Sequence, residues 1–417
     1  MPTETITAGC CIAGGGPAGM MLGYLLARAG VDVWVLEKHA DFFRDFRGDT
    51  IHPSTLAIMA ELGVLDELLK RPHQEVRELA GQIGEDRVTL ADFSQLPTRC
   101  RFVALMPQWD FLDFLAEQAR RYPSFHLRMQ AEVTELVQEK GIVTRVRAKV
   151  SEGTLEVRAD LVVGADGRHS AVRDLAGLQV EDLGAPMDVL WMRLSKRPED
   201  GSAVLGRIQA GHLLVMLDRG DYWQCAFVIP KGGFADLRRR GLPAFHEEIV
   251  KLNPALANRV QEIASWDDVK LLTARVDRLK HWYKPGLLCI GDAAHAMSPV
   301  GGVGINLAIQ DAVAAANILA MLLKKGPVST ELLRKVQERR DWPTRMMQSV
   351  QIFIQKRVIS AVLEMQTQPR VPYVAKLLNH YPWLRRLPAR LIGMGFRPEH
   401  VSQEIRDRKP DVKTQAV

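Results

Sequence analysis

The feature that most constrains this chain is a cluster of glycines between an apolar run and a helix-like stretch near the N-terminus. Residues 11–13 are apolar, and glycine occupies positions 14, 15, 16 and 19. A strand, a G-x-G-x-x-G turn and a helix form the first half of a dinucleotide-binding unit. Its glycines permit the tight turn, the approach of backbone N–H groups to a pyrophosphate, and close packing of the helix on the strand. The expected cofactor contacts in this turn are Gly14, Gly16, Pro17, Ala18 and Gly19.

The second predicted strand of the unit, residues 32–36, is followed by an acidic residue, Glu37. A carboxylate about 20 residues after the turn accepts hydrogen bonds from the ribose hydroxyls of an ADP group, and it would repel a 2'-phosphate. Lys38, the next residue, is included in the expected cofactor site. FAD and NAD both contain ADP, so this unit alone leaves both cofactors open.

Two later segments favour FAD over NAD. Gly291 and Asp292 follow a predicted buried strand, where a carboxylate can accept a hydrogen bond from a ribityl hydroxyl at the carboxyl end of the sheet. The next loop is rich in small residues and leads into a helix. Its N–H groups and the helix dipole would stabilise negative charge on a reduced flavin ring. The expected contacts here are Pro299, Gly301, Gly302, Val303, Gly304, Ile305 and Asn306.

Changes in hydrophobic periodicity divide the chain of 417 residues. Between residues 185 and 230 the apolar residues alternate with period two, which predicts antiparallel strands of a separate sheet. We expect an α/β fold with a Rossmann-type FAD-binding domain, an inserted antiparallel-sheet substrate domain and a helical C-terminal extension. The expected boundaries are 1–180 for the first part of the FAD-binding domain, with a substrate-side excursion near 72–107, then 181–280 for the substrate-covering sheet, 281–335 for the return of the FAD-binding domain, and 336–417 for the helical region.

Composition excludes several other classes of protein. Hydrophobic residues make up 47% and charged residues 25% of the chain, as in ordinary globular proteins. The net charge of +6 is mild and the basic residues are mostly dispersed, so nucleic-acid binding is not expected. The five cysteines show no metal-ligand spacing. We therefore expect no metal site, and reduced, buried cysteines in a cytoplasmic protein without signal peptide or membrane span.

Three motifs together resemble the fingerprints of the group A FAD-dependent monooxygenases. This is the para-hydroxybenzoate hydroxylase-like family, which includes hydroxylases of the ubiquinone-biosynthesis type. The resemblance extends from about residue 8 to 345. The motifs are residues 14–19, then Gly164, Ala165, Asp166 and Gly167 with Ser170 and Arg173, then residues 291–295 with Pro299 and residues 301–306.

The resemblance implies further site residues. Asp166 and Gly167 would serve the pyrophosphate and the transient pyridine nucleotide, and Gln108 would contact the flavin. Arg47 would lie near the flavin pyrophosphate, with Arg44 as the alternative for that role. The expected cofactor set is completed by Val133. Ser298 departs from the family, because many members have a second proline there, and we expect little consequence since Pro299 is kept.

The resemblance also implies the reaction. NADPH or NADH binds transiently, reduces the flavin and leaves, and O2 then adds to flavin C4a to give a hydroperoxide that hydroxylates an electron-rich aromatic, phenolic or quinone-like small molecule. The alternatives are a reductase or desaturase of the geranylgeranyl reductase-like type and a non-catalytic FAD-binding partner in a biosynthetic pathway. A halogenase is not supported, because the W-x-W-x-I-P element is absent.

The substrate residues are less clearly indicated than the cofactor residues. In the alternating strands Trp191 and Arg193 share one face, and Gln224 points away from its two neighbours, so these three are the substrate candidates. The alternative for Arg193 is a solvated strand charge. His295 is better explained by packing and hydrogen bonding than as a general base. No catalytic base is assigned.

Residues 373–401 combine basic and apolar side chains. Between residues 376 and 397 there are five lysines and arginines and no acidic residue, while Pro382 and Pro388 limit the segment to short helices. One interpretation is that its apolar side packs on the FAD-binding domain and its arginines are solvated. The other is peripheral contact with the inner face of the membrane. We expect a monomer or homodimer in either case.

Overall fold

The structure is a computed structural model that describes residues 3–43, 50–200, 206–367 and 369–410. The strands in these ranges are β1 (Thr3–Ala13), β2 (Val33–Glu37), β3 (Thr50–Ile51), β4 (Gln74–Val76), β5 (Glu78–Ile83), β6 (Asp86–Asp92), β7 (Val103–Leu105), β8 (Phe125–Met129), β9 (Glu132–Glu139), β10 (Ile142–Val150), β11 (Gly153–Gly164), β12 (Val180–Asp182), β13 (Met187–Ser195), β14 (Gly206–Gln209), β15 (His212–Asp218), β16 (Tyr222–Pro230), β17 (Lys270–Leu272), β18 (Asp277–Leu279), β19 (Tyr283–Lys284) and β20 (Leu287–Cys289).

The helices are α1 (Pro17–Ala29), α2 (Pro53–Glu61), α3 (Leu65–Leu68), α4 (Gln108–Ala119), α5 (Ala171–Leu175), α6 (Phe234–Arg240), α7 (Leu242–Leu252), α8 (Gly304–Leu323), α9 (Thr330–Ile354), α10 (Ser360–Glu364), α11 (Tyr373–His380), α12 (Arg386–Met394) and α13 (Gln403–Arg406). A π-helical turn, Gln355–Ile359, joins α9 to α10. The mixed α/β class expected from the sequence is confirmed.

The first sheet has a parallel centre with strand order β20-β11-β1-β2-β8. The last four residues of β1, from Cys10 to Ala13, are almost completely buried. Such continuous apolar runs are typical of parallel strands that are covered on both faces. β9 and β10 extend this sheet as an antiparallel addition to the first half of β11. The parallel centre therefore has the order of a Rossmann-type domain, with α1 packed on α8 and α4.

The second sheet has the order β17-β13-β16-β15-β14-β5-β6. Its strands β13, β16, β15 and β14 are antiparallel, so the antiparallel strands expected between residues 185 and 230 are confirmed. β5, from the first part of the chain, joins this sheet by parallel pairing with β14. Helices α6 and α7 cover one face through a separate apolar cluster. The opposite face is directed towards the FAD-binding half of the chain.

Helix α8 has enough apolar residues to cross a membrane by length and composition. However, 72% of its most apolar window is buried inside the protein, where the helix packs against α1 and α9. This burial identifies α8 as a core helix. All five cysteines are free and buried, as expected from their apolar surroundings in the sequence.

Candidate active site

Four of the expected cofactor segments begin at one edge of the first sheet. Ala13 is in register with both Leu36 and Gly164, and Gly164 is in register with Cys289. The four strands are parallel, so their carboxyl ends lie at the same level. Glu37 is the last residue of β2, and the glycine turn, Asp166 and Asp292 closely follow the ends of the other three strands. In open α/β sheets this edge is where ligands bind.

The glycine turn leaves the first turn of α1 accessible to an anion. Gly14 has φ +105°, and a Cβ at this position would collide with the carbonyl of Ala165. A Cβ at Gly19 would overlap the carbonyl oxygen of Gly14, so the helix can begin here only with glycine. The helix starts after Gly16, with Pro17 as its first residue, and within the described residues no side chain caps its N–H groups. Uncapped N–H groups and the helix dipole suit a pyrophosphate.

Glu37 is 8% exposed and already accepts two backbone hydrogen bonds. Its Oε2 accepts from the Gly15 N–H at 2.9 Å, and its Oε1 accepts from the His39 N–H at 3.1 Å. Because a carboxylate has about four acceptor sites, ribose hydroxyls can bond to it as well. Lys38 is exposed beside it. The carboxylate is therefore held in place by the turn that precedes the pyrophosphate site.

Asp166 and Asp292 occupy equivalent strand ends but are used differently. The Asp166 carboxylate accepts from the Ser170 hydroxyl at 2.5 Å and the Val172 N–H at 3.1 Å, and burial raises the pKa of its carboxyl. It therefore shapes the turn that Gly167 completes. The Asp292 side chain is partly exposed, and its Oδ2 lies 3.4 Å from Nη2 of Arg168. Asp292 is thus the acidic side chain available to a ribityl hydroxyl.

Arg168 was not singled out in the sequence, although its place directly after the Asp-Gly pair is a local signal. Its guanidinium projects to the carboxylate of Asp292 across the strand ends. A guanidinium has several donors and suits a phosphate or a carbonyl oxygen. Arg44 and Arg47, the two arginines proposed for the pyrophosphate, lie outside the described residues.

The loop at residues 299–304 has room beside its glycines. A Cβ at Gly301 would meet only Val303, and a Cβ at Gly304 only Met297, each at 3.7 Å among the described residues. Gly301 and Gly302 both have positive φ, +78° and +63°, but Gly302 differs because a Cβ there would collide with the hydroxyl oxygen of Thr50. The Thr50 hydroxyl donates to the Gly302 carbonyl at 2.9 Å. This contact ties the loop to β3.

The side chains of Val303, Ile305 and Asn306, which follow the Gly-Gly pair of this loop, point into the protein interior. Asn306 Oδ1 accepts from the His52 N–H and the Thr55 hydroxyl, each at 2.8 Å, and Nδ2 donates to the Thr50 carbonyl at 3.0 Å. Val303 packs in a small buried cluster, and Ile305 packs in the main core. Only backbone groups of these three residues are therefore available to a cofactor.

The remaining cofactor candidates lie on neighbouring elements. Gln108 is the first residue of α4 and is 8% exposed, and Val133 is a core residue of β9. A cavity of about 280 Å³ lies between the end of β2 and α4. Its lining residues are Ala40, Asp41, Phe42, Phe43, Trp109, Asp113, Arg120, Leu127 and Met129.

His295 is 1% exposed and has a structural environment. Its Nε2 lies 2.6 Å from Oδ2 of Asp311, and its ring packs on Trp282 with 4.9 Å between centroids. The same Asp311 oxygen accepts from the Gly291 N–H at 3.1 Å. This arrangement agrees with packing and hydrogen bonding, the interpretation preferred from the sequence.

The three substrate candidates lie on one face of the second sheet, where Arg193 is in register with Gln224, but their surroundings differ. Trp191 lies in register with Ala226, and both belong to the apolar face that is directed towards the FAD-binding half. Val300, from the 299–304 loop, packs against the same face. Gln224 is 3% exposed, and its Oε1 accepts from Nε of Arg219 at 3.0 Å. Arg193 has an exposed side chain that stacks on the ring of Tyr222 at 3.6 Å, away from the apolar cluster.

These groups fit FAD. The uncapped helix start suits a pyrophosphate, the carboxylates of Glu37 and Asp292 suit hydroxyls on either side of it, and the open glycine loop leaves space for a planar ring. The apolar face of the second sheet packs against Val300 of this loop. The fold and the site together define a Rossmann-type flavoprotein with a second sheet beside the glycine loop.

Comparison with known proteins agrees with this class. The family described as "FAD binding domain" matches residues 7–350. The chain is 33% identical over 392 residues to the 6-methylpretetramide 4-monooxygenase of Streptomyces rimosus, covering 94% of this chain and 93% of that protein. It is 25% identical over 358 residues to the 3-demethoxyubiquinol 3-hydroxylase of Escherichia coli, covering 84% and 88%. The chain belongs to the group A FAD-dependent monooxygenases.

A solved structure shows the same fold. The p-nitrophenol 4-monooxygenase of Pseudomonas putida superimposes with a TM-score of 0.76 at 21% identity, covering 93% of this chain and 97% of that one. The protein is therefore an FAD-dependent monooxygenase, and NAD(P)H and O2 are the co-substrates typical of its family. The reductase and the non-catalytic alternatives are not favoured by these relatives.

Proposed function

We propose that the substrate is a planar phenol or hydroquinone, including fused-ring phenols, and that the protein adds one hydroxyl group to its ring. The observation that carries this proposal is the contact of Val300 with the apolar face of the second sheet. This contact places an apolar wall beside the loop expected at the flavin ring. The relatives named for hydroxylation of 6-methylpretetramide and 3-demethoxyubiquinol support an aromatic substrate of this kind.

In this proposal the chain's own residues bind the aromatic substrate, orient it and shield it from water. When bound, FAD supplies the redox chemistry with NAD(P)H and O2. Trp191 and Ala226 form an apolar surface that excludes water and packs on an aromatic ring. Gln224 places one amide at the same face, and its Nε2 has no hydrogen-bond partner among the described residues. That N–H group can donate to a hydroxyl or carbonyl oxygen of the substrate and fix its orientation.

The test is a screen of phenols, hydroquinones and fused-ring phenols for stimulated oxidation of NADPH and of NADH. Mass spectrometry with labelled O2 then checks for one oxygen atom from O2 in the product. Stimulated oxidation with oxygen incorporation supports the proposal. Substrate-dependent oxidation without incorporation indicates the reductase alternative, and tightly bound FAD that neither nucleotide reduces indicates the non-catalytic one.

A variant pair sharpens this test. Trp191→Ala removes the apolar wall, and we expect KM to rise at least tenfold because aromatic packing and water exclusion are lost. Lys270→Ala is the matched control, since Lys270 lies in register with Trp191 on the adjacent strand but is exposed. Equal effects of the two substitutions would contradict the proposed position of the substrate.

We also propose that this cytoplasmic protein contacts anionic membrane through residues 373–401. One side of this segment packs inside the protein, where Ala389 is fully buried and a Cβ at Gly393 would touch Phe93 and Leu96. The other side leaves large apolar side chains more than half exposed. They are Tyr373, Val374, Trp383 and Leu387.

Basic residues surround these apolar side chains. Arg386 stacks over the ring of Trp383, with 5.7 Å to its centroid, and no acidic residue occurs from 365 to 398. Each lysine or arginine near an anionic surface contributes about 1 kcal/mol, and exposed aromatic residues insert at the interface. The combination supports reversible binding that weakens as the salt concentration rises.

Sedimentation with vesicles of phosphatidylcholine and phosphatidylglycerol tests this contact. We expect the parent to pellet at low salt and to be released in part at high salt. The double substitution of Trp383→Ser and Leu387→Ser reduces pelleting, whereas Phe353→Ser, at a side chain 63% exposed outside the segment, leaves it unchanged. A parent that stays in the supernatant at low salt, or a control with an equal effect, would refute membrane contact.

A further inference from the structure

A row of buried amide side chains lies along the end of α9 and the start of the π-helical turn that continues it. Gln348, Gln351 and Gln355 are at most 2% exposed, and their spacing of three and four residues places them on one helix face. Glutamine is mostly exposed in folded proteins, and a buried amide must find hydrogen-bond partners. Three such residues on one buried face therefore need a specific explanation.

Two of these amides bind the backbone and the side chain of Ser298. Gln351 Oε1 accepts from the Ser298 N–H at 3.1 Å, and Nε2 donates to the carbonyls of Ser298 at 3.0 Å and Val300 at 2.7 Å. One side-chain amide thus pairs with both backbone groups of a residue, as a neighbouring strand would. Gln355 Nε2 donates to the Ser298 hydroxyl oxygen at 2.5 Å. That oxygen also accepts from the Val300 N–H at 3.2 Å.

The third amide, that of Gln348, does not bond to Ser298. Gln348 Nε2 donates to the carbonyls of Asp277 at 2.8 Å and Ala296 at 3.2 Å. It therefore holds the chain before Ser298 and makes no bond to the 299–304 loop. This difference makes Gln348 a matched comparison for the other two, with the same residue type and burial, and it lies in α9 as Gln351 does.

Stability alone does not account for these glutamines. Gln348 and Gln355 each bury an Oε1 with no partner among the described residues. An unsatisfied buried acceptor costs about 1–3 kcal/mol, whereas apolar residues that replace both partners can be nearly neutral. The bonds of Gln351 and Gln355 converge on Ser298, the residue directly before the 299–304 loop. Such convergence points to a requirement for the exact position of that loop.

Ser298 was expected from the sequence to have little consequence, and its contacts in the structure argue for a larger one. A proline at 298 has no N–H group, so Gln351 Oε1 would lose its donor. A proline also lacks the hydroxyl oxygen that binds Gln355 and Val300. The serine and the two glutamines therefore form one hydrogen-bonded arrangement. Its bonds restrict the backbone at position 298, as a proline ring at that position would.

We propose that Ser298, Gln351 and Gln355 are positioning residues that hold the 299–304 loop against the flavin ring and thereby set the flavin's reduction potential. The proposal rests on the FAD site described above. The loop's backbone N–H groups stabilise negative charge on the reduced ring, and their effect falls steeply with distance. If the loop moves back by a fraction of an ångström, the reduced flavin loses stabilisation and the potential falls.

The test compares Gln351→Leu with Gln348→Leu in FAD-loaded protein without aromatic substrate. For Gln351→Leu we expect a shifted visible flavin spectrum, a lower midpoint potential against reference dyes and at least tenfold slower anaerobic reduction by NAD(P)H. For Gln348→Leu we expect the spectrum and the potential of the parent. An unchanged spectrum and potential in Gln351→Leu, or equal shifts in both variants, would overturn the proposal.

A milder variant keeps the test decisive if Gln351→Leu does not fold. Gln355→Met removes only the bond to the Ser298 hydroxyl, and we expect a smaller shift of the spectrum and the potential in the same direction. No shift in this variant overturns the proposal. All readouts need bound FAD but no substrate. A negative result here therefore leaves the hydroxylase proposal intact, and a failed substrate screen leaves this proposal intact.

Discussion

Nε2 of His295 lies 2.6 Å from Oδ2 of Asp311, and both side chains are buried. Oδ1 of Asp311 accepts from Nε of Arg340 at 3.0 Å, and Oδ2 accepts from the Gly291 N–H at 3.1 Å. Burial opposes ionisation of Asp311, but His295 and Arg340 outweigh it and lower the pKa of the carboxyl. One carboxylate on α8 therefore joins the Asp292 motif to α9.

Asp311→Asn should destabilise the protein by about 3–5 kcal/mol, because Arg340 is left as a buried charge without full compensation. Urea unfolding of the apoprotein at pH 7 measures this loss. The pKa of Asp311 is lowered in the folded state, so its contribution is present above the ordinary carboxyl pKa of about 4 and is lost as pH falls through the lower folded value. Asp66→Asn is the control, because Asp66 and its ion-pair partner Arg99 are both exposed. A loss no larger than that of the control would contradict this role.

Glu37→Arg should weaken FAD binding by about 10- to 150-fold, which corresponds to roughly 1.5–3 kcal/mol for lost buried hydrogen bonds. The arginine cannot accept from ribose hydroxyls or from the Gly15 N–H. Titration of apoprotein with FAD, followed by flavin fluorescence, measures the affinity. Glu4→Arg is the control, since it makes the same change of charge at an exposed side chain at the opposite end of β1 from the glycine turn. Unchanged affinity in Glu37→Arg would rule out the ribose assignment.

Gly302→Val should disturb the flavin ring site, because a side chain there collides with the Thr50 hydroxyl and resists φ +63°. We expect slower flavin reduction or a changed visible spectrum, with a melting temperature close to that of the control. Gly63→Val is that control: its φ is +76°, but a Cβ there meets nothing within 4 Å among the described residues. If both variants keep the parent's spectrum, reduction rate and FAD content, the loop does not contact the ring.

The burial of His52 should make the stability of the folded protein sensitive to acid. Burial lowers the pKa of its imidazole to about 4 from the ordinary value of 6.5, although its Nδ1 lies 2.7 Å from the carbonyl oxygen of Ile392. The unfolded chain therefore binds a proton below pH 6.5 that the folded chain accepts only near pH 4. Stability falls across this window by about 3 kcal/mol, at about 1.4 kcal/mol for each pH unit.

The variant His52→Asn keeps an N–H donor near the Ile392 carbonyl and removes the titration. Unfolding free energies of parent and variant, measured at intervals from pH 7 to pH 4, should converge as pH falls because only the parent loses the histidine contribution. Parallel profiles would show that His52 does not titrate across this window.

The cofactor edge could be predicted because its signals are local. Each motif directly follows a strand, and a stretch of about 20 residues contains the strand, the turn and the helix start. Glu37 and Asp292 lie at strand ends as expected. The hydrogen-bond partners of individual side chains could not be predicted in the same way. Asn306 is used by Thr50, His52 and Thr55, more than 240 residues away in the chain, and no local pattern indicates such partners.

The glutamines of α9 show the same limit. A glutamine in a helix is ordinarily interpreted as exposed, because propensity and periodicity do not reveal what packs against it. Their only sequence signal is that amides occupy positions of one helix face that other helices fill with apolar residues. The pairing of β5 with β14 also joins residues more than 100 apart in the chain. Such contacts depend on the completed fold.

The position of β20 in the first sheet has a consequence for synthesis on the ribosome. β11 is finished at Gly164, but its neighbour β20 is not made until Leu287–Cys289, after every strand of the second sheet has been translated. Until then the nascent chain carries an unpaired strand edge at the future cofactor site, the kind of edge that invites aggregation. Asp292, the 299–304 loop and the glutamines behind it emerge later still. The complete cofactor edge therefore exists only after the chain has been translated through the 299–304 loop and the glutamines up to Gln355.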